Sequence, residues 1–537
     1  MGAAATPEGP DFSLGIELGK VPSNGTIAGR VGDEPVLLSK LDGDWFAVAG
    51  SCTHYGAALA GGLVDGDNVR CPLHHACFSL RTGAALRAPA FAPLDRWHVE
   101  VEKDKLFVRT RLSAPVAASL QSSQADGIGS VLIVGGGAAG FACADELRGL
   151  GFAGRITMVT AEPDAPYDRP NLSKDFLAGT APEAWIPLRD DDFYREAGIE
   201  LKRGEEIVAI NTPAGFAVGS SGERFPYDRL LLATGAEPVR LAGFEHDNVL
   251  SLRSLSDART LIDRAQAGTR AAVLGSSFIG LEAASALRAR GVGVDVISPE
   301  SVPFERAFGR EIGLFLQRLH ESKGVRFHLE RTASSFDGRQ LALDDLSVLD
   351  VDFVLAGVGV RPRTALATGR VAVDDGILVD SSLATSVPGI YAAGDVAAYP
   401  DPLSGRPLRI EHWVTAQRQG QVAARNMIGI ATAFAAIPFF WTEQYGVALR
   451  YVGHARDWDQ IRIDGDLDSL DFIARYVRGG HVVASLACGR DRESLEDERS
   501  LERRIETAGD RRRADQAKAA KASTAETFAP QCHPMAD

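Results

Sequence analysis

The chain has 537 residues and an ordinary 45% apolar content, enough for three or four domains with sizeable cores. Its 71 acidic side chains outnumber 57 basic ones, and the net charge of −14 argues against a nucleic-acid or anionic-membrane partner. The longest apolar run, around Ile428 to Trp441, is interrupted by Pro438 and too short to span a bilayer, and six cysteines in so long a chain make no disulfide framework.

No basic segment followed by an apolar one opens the chain, so no secretory signal is visible and a reducing cytoplasm is expected. Met1-Gly2-Ala3-Ala4-Ala5-Thr6 formally fits a myristoylation pattern but lacks a polybasic patch. From Phe12 to Arg111 short alternating runs predict an all-β module over 12–112, with strands at Val36 to Leu38, Trp45 to Val48, His98 to Val101 and Leu106 to Val108.

Two cysteine–histidine clusters interrupt that module: Cys52-Thr53-His54, then Cys71-Pro72-Leu73-His74. Two thiolates and two imidazoles are the ligand set of a Rieske [2Fe-2S] centre, in which the cysteines hold one iron and the histidines the other. A Cys2His2 zinc site is the alternative, although C-x-H followed by C-x-x-H is not zinc-finger order. The run from Cys71 to Gly83 resembles the CPxHGxxFxxxTG segment of Rieske ferredoxins, with His75 in the place of a glycine. By that resemblance Ala57 and Leu73 stand where high-potential members carry a disulfide, and Ala76 and Phe78 where they carry hydroxyl donors. Missing hydrogen bonds to cluster sulfur predict a potential near the low end of the Rieske range, roughly −150 mV.

Residues 113–129 are rich in Ser, Ala and Gln and read as a linker, on the order of 20–25 Å long if flexible, which would let the module swing. The texture then changes. Val131-Leu132-Ile133-Val134 is a buried-strand run; Gly135, Gly137 and Gly140 follow in G-x-G-x-x-G spacing, then a helix to about Leu150, a strand from Ile156 to Thr160, and Glu162. That is a dinucleotide fingerprint, with the pyrophosphate on the helix N-terminus and the acid on a ribose hydroxyl. The unit recurs with a strand from Arg270 to Leu274, the turn Gly275 to Gly280, a helix to about Arg290 and a strand from Val292 to Ser298. Ser277 replaces the middle glycine. Glu300 sits where a ribose-binding acid belongs, and no Arg or Lys lies between Val292 and Phe304 to take a 2′-phosphate, so NADH is favoured over NADPH. Two such folds imply two dinucleotides: FAD in the first, NAD(P)H in the second.

As a set these motifs resemble the pyridine-nucleotide-dependent ferredoxin reductases of ring-hydroxylating oxygenase systems and the Rieske-fused relatives of apoptosis-inducing factor. Pro166 to Lys174 is similar to the PYxRPxLSK segment, which implies Arg169 and Lys174 against FAD. The resemblance also implies FAD contacts from Ala233 and Gly235, from Arg253, and from Gly394 and Asp395, whose carboxylate would hold the ribityl chain. His412, Trp413 and Trp441 resemble residues that wall the isoalloxazine. Glu282 matches a glutamate near the nicotinamide that pairs with Lys174; these two are the catalytic candidates. Gly275, Ser277, Ile279, Gly280, Glu282, Glu300 and Gly359 would line the NAD(P)H site.

The expected architecture is multidomain. The all-β Rieske domain leads into α/β dinucleotide-binding domains for FAD (130–250 with 355–430) and NAD(P)H (251–354). A C-terminal α+β domain (431–490) and a charged tail (491–537), reading as a helix with a solvated end, complete it. Cys532-His533 in that tail reads as a stray pair. No C-x-x-x-x-C redox disulfide follows the first nucleotide turn, so the built-in cluster is the obvious exit for flavin electrons. The expected function is electron transfer from NADH through FAD to the cluster and on to an external one-electron acceptor, an oxygenase or a haem protein, by a monomer or homodimer. An NADH-responsive redox switch and an NADH oxidase are the competing readings.

Overall fold

The computed structural model describes residues 9–21, 26–112 and 127–507. The myristoylation-like N-terminus, most of the linker and the Cys532-His533 pair lie outside them. The N-terminal module is all β. Six strands pair antiparallel in the order Ile16–Glu17, Lys105–Leu112, Arg96–Glu102, Asp44–Ala49, Glu34–Leu41 and Thr26–Val31. A smaller sheet joins Leu63–Asp65, Asn68–Arg70, Cys77–Ser79 and Ala85–Arg87. The first cysteine–histidine loop leaves strand Asp44–Ala49 and the second joins the middle two strands of the small sheet, so the two sheets aim both loops at one end of the module.

Ser130–Val134 is the centre of a five-stranded parallel sheet in the order Ile199–Arg203, Arg155–Thr160, Ser130–Val134, Arg229–Leu232, Ile390–Ala392. Its Val131, Leu132 and Ile133 are at most 1% exposed, as a strand covered on both faces requires. The last strand arrives from 160 residues downstream and aligns Leu232 with Ala392, which sets the Ala233–Gly235 and Gly394–Asp395 turns side by side. The helix Ala138–Gly149 crosses the helix Trp413–Met427 closely: a Cβ on Gly420 would lie 2.2 Å from the Ala139 carbonyl oxygen.

A second parallel sheet orders Val249–Leu250, Phe353–Ala356, Arg270–Leu274, Gly293–Ser298 and Arg326–Leu329. The last sheet is antiparallel, in the order Phe439–Gln444, Val447–Gly453, His481–Cys488, Asp471–Arg478 and Gln460–Asp466. Residues 491–507 form a helix, and it is no solvated appendage: Ser494, Leu495, Glu498 and Leu501 are at most 2% exposed. The buried positions recur at helical spacing, but the sequence hides this because Ser494 and Glu498 are polar, and a buried glutamate reads like a surface one. Among the described residues no helix is long and apolar enough to cross a membrane.

The N-terminal module is docked on the rest of the chain. Phe91 meets Phe141 edge-on at 5.1 Å between ring centres, and His75 stacks on Phe439 at 3.9 Å. Arg450 donates to the Leu73 carbonyl at 3.1 Å, and the Tyr55 hydroxyl bonds Asp168. A linker alone suggested a swinging module; these contacts give it a definite seat.

Candidate functional site

The two cysteine–histidine loops bring their ligands together as a pair of histidines and a pair of cysteines. The Nδ1 atoms of His54 and His74 face each other at 3.1 Å, and Cys52 is hydrogen-bonded to Cys71. That hydrogen bond between the two thiols, then the amides of Leu73 and His74 and the nearby Arg450, lowers the Cys71 thiol, while the same hydrogen bond and burial raise Cys52. Amides of His54 and Tyr55 point at Cys52 in turn. Burial depresses His54 to about 4 and pushes His74 well down, so both rings are neutral at neutral pH. Neutral imidazoles and amide-cradled sulfurs are what iron ligation asks of these residues. Among the described residues no three His, Cys, Asp or Glu side chains surround a common point as a single ion would require. Two sulfurs together and two nitrogens together fit a two-iron cluster better than a tetrahedral zinc. His75, in the place of the motif's glycine, takes a left-handed conformation with φ of 59°. Its ring turns away to Glu498, so it is not a ligand here. Ala76 and Phe78 are buried without offering a hydroxyl.

The first nucleotide turn fits a bound pyrophosphate. A Cβ on Gly135 would lie 2.2 Å from the Ala233 carbonyl oxygen, and one on Gly140 2.0 Å from that of Gly135, so both glycines serve the turn itself. Gly137, at the helix N-terminus, meets no protein atom within 4 Å, which leaves room for a phosphate. Glu162 accepts from Arg169 at 2.9 Å and from the Tyr167 hydroxyl. Arg169 also donates to the Arg253 carbonyl, and Arg253 pairs with Asp395 at 2.6 Å. Residues far apart in sequence thus form one continuous polar strip. Gly235 (φ 68°) borders Arg253, and the Gly394 amide is held by Gln419 at 2.7 Å.

Lys174 and Glu282 meet at 2.7 Å, both largely buried. Ser173 and Thr442 each donate a hydroxyl to Glu282 at 2.6 Å. The chain of bonds goes on inward: Gln444 donates to Thr442 at 3.1 Å and accepts from His320 Nε2 at 2.7 Å. Because Gln444 spends its amide on Thr442, its oxygen must face His320, which fixes that ring as the neutral Nε2–H form. Burial lowers His320 to about 4. His412 precedes the helix that begins at Trp413 and packs on Phe440 at 4.4 Å. Trp441 has Lys174 Nζ 5.8 Å from its ring centre on one side and the His74 ring 4.0 Å away on another.

The second turn repeats the first. A Cβ on Gly280 would lie 2.2 Å from the Gly275 carbonyl oxygen. Ser277 is the extended residue before helix Phe278–Ala289, Ile279 is 41% exposed beside it, and Gly359 (φ 100°) has open space around it. Ser298 is buried and accepts a hydrogen bond from Ser276 at 2.7 Å. Glu300 remains as the acid there, raised by partial burial and 3.4 Å from Arg306.

Sequence reasoning missed Tyr55, Asp168, Thr442, Gln444, His320, Arg418 and Glu498. Tyr55 follows a ligand, Asp168 lies inside the Pro166 to Lys174 segment, and Thr442 and Gln444 follow Trp441, which are weak signals; the others carried none.

Comparison with known proteins places these features. A pyridine nucleotide-disulphide oxidoreductase family model matches residues 129–420, a Rieske [2Fe-2S] domain model 16–98, and a reductase C-terminal model 439–523. Apoptosis-inducing factor 3 of Homo sapiens is 35% identical over 476 residues, 85% of this chain and 78% of that protein. The ferredoxin–NAD(+) reductase component of the anthranilate 1,2-dioxygenase system of Burkholderia cepacia is 35% identical over 67% of this chain and 91% of its own length. The structure of the covalent putidaredoxin reductase–putidaredoxin complex superposes with a TM-score of 0.68 at 31% identity, covering 70% of this chain and 93% of that one.

Proposed function

Because the chain belongs to the pyridine nucleotide-disulphide oxidoreductase family and carries a Rieske domain ahead of it, we propose that it is an NADH-dependent ferredoxin reductase with its ferredoxin built in. It is an NAD(P)H-dependent flavoprotein oxidoreductase; the intramolecular route and the acceptor are the added reading. FAD, when bound, accepts hydride and releases electrons one at a time, which is the form a [2Fe-2S] cluster can take and pass on.

The protein's part is positioning. The Gly135–Gly140 turn, Glu162, Arg169, Arg253 and Asp395 would hold FAD. The Gly275–Gly280 turn and Glu300 would hold NADH, with Lys174 and Glu282 beside the reacting rings. Cys52, His54, Cys71 and His74 would hold the cluster. One observation carries the route: His74 touches Trp441, and Trp441 lies over Lys174. A cluster ligand and a flavin-wall residue therefore share a van der Waals contact. The missing hydroxyls at Ala76 and Phe78 support a low cluster potential, suited to accepting electrons from a flavin. An oxygenase as acceptor is supported by relatives named for dioxygenase systems.

The test is NADH-dependent reduction of cytochrome c by wild type and Cys71→Ser, with the cluster followed by EPR. Fast reduction that collapses in the variant supports the route. An unchanged rate would mean that electrons leave the flavin directly, as in an oxidase. Slow turnover in wild type, with a flavin that stays bleached, would favour a redox switch.

A further inference from the structure

Glu498 lies on the helix 491–507 and is completely buried. Its Oε2 accepts from His75 Nδ1 at 2.9 Å and from Arg70 at 3.4 Å, both in the Rieske module. Its Oε1 accepts from Arg418 at 3.1 Å, on the helix Trp413–Met427 of the flavin module, and Arg87 stands 3.6 Å away. Arg418 completes a triangle by donating to the His75 carbonyl at 3.0 Å. One carboxylate on the C-terminal helix thus ties together two other parts of the chain: the residue next to the ligand His74 and the helix that begins at the flavin wall. A buried carboxylate is retained only where partners surround it. Here the partners come from both modules, so the charge is satisfied only when the two are docked.

We propose that Glu498 is the positioning residue that seats the Rieske module on the flavin module and keeps His74 against Trp441. It touches neither cofactor site and acts through His75 and Arg418. The inference rests on the flavin-to-cluster route proposed above.

The test uses the full-length, cofactor-loaded protein and Glu498→Gln, which keeps the volume and removes the charge. Three quantities are measured: flavin bleaching by NADH, appearance of the reduced cluster in freeze-quench EPR, and the radius of gyration by small-angle X-ray scattering. The expected result is unchanged bleaching, cluster reduction slowed by about tenfold or more, a larger radius of gyration, and an unaltered EPR line shape after dithionite. Arg87→Ala, at the edge of the same network, should give an intermediate slowing, and it decides the matter if Glu498→Gln does not fold. Cluster reduction as fast as wild type with unchanged scattering overturns the proposal. So does a parallel loss of bleaching and cluster reduction, which marks general damage. Failure of the underlying route is distinct, because then the wild-type cluster itself is not reduced by NADH.

Discussion

The buried Lys174–Glu282 pair can be tested by a double-mutant cycle. Glu282 is 4% exposed and accepts from Lys174, Ser173 and Thr442. Removing one partner of a buried ion pair costs about 3–5 kcal/mol. Each hydroxyl left without an acceptor adds about 1 kcal/mol. Glu282→Ala should therefore destabilise the flavin-binding core by roughly 5 kcal/mol. Lys174→Met should cost less, about 3 kcal/mol, because the carboxylate keeps both hydroxyls. Lys174→Met combined with Glu282→Ala should cost about 5 kcal/mol instead of the additive sum of roughly 8 kcal/mol, a coupling of about 3 kcal/mol, since no unpaired charge is left while both hydroxyls still lack their acceptor. Urea unfolding followed by tryptophan fluorescence reads this locally, because Trp441 sits over Lys174. Single variants that each cost under about 1 kcal/mol, with an additive double variant, would refute the buried-pair account.

Stability should fall as the medium is acidified through the histidine range. His320 is neutral in the fold, with its value lowered to about 4, so the unfolded chain binds the proton more readily; its contribution is complete above about pH 6.5 and is lost toward pH 4, amounting to roughly 3 kcal/mol. His320→Gln should flatten that part of the pH profile in urea titrations. Glu300→Ala should free Arg306 for a 2′-phosphate and lower the preference for NADH over NADPH by about tenfold, read as the ratio of kcat/KM values. Gly137→Ala should leave the apoprotein's melting curve unchanged and reduce FAD content, whereas Gly140→Ala should lower both, because only the second Cβ strikes protein.

The chemistry was legible in the sequence because it is written in local spacing. C-x-H and C-x-x-H, the two glycine turns and the PYDRPNLSK segment each lie within ten residues, and a turn or loop of that length sets its own geometry. His75 is a case in point: it stands where the motif has a glycine, and its backbone is left-handed there. What the tertiary structure decided is how the modules meet. Tyr55 on Asp168, Arg450 on Leu73 and Glu498 on His75 join residues between 113 and 423 positions apart, or farther than any motif reaches. Nothing in local spacing marks them, because a charge satisfied across an interface looks in sequence like a charge satisfied by water. Burial alone distinguishes the two, and burial is a property of the assembled fold.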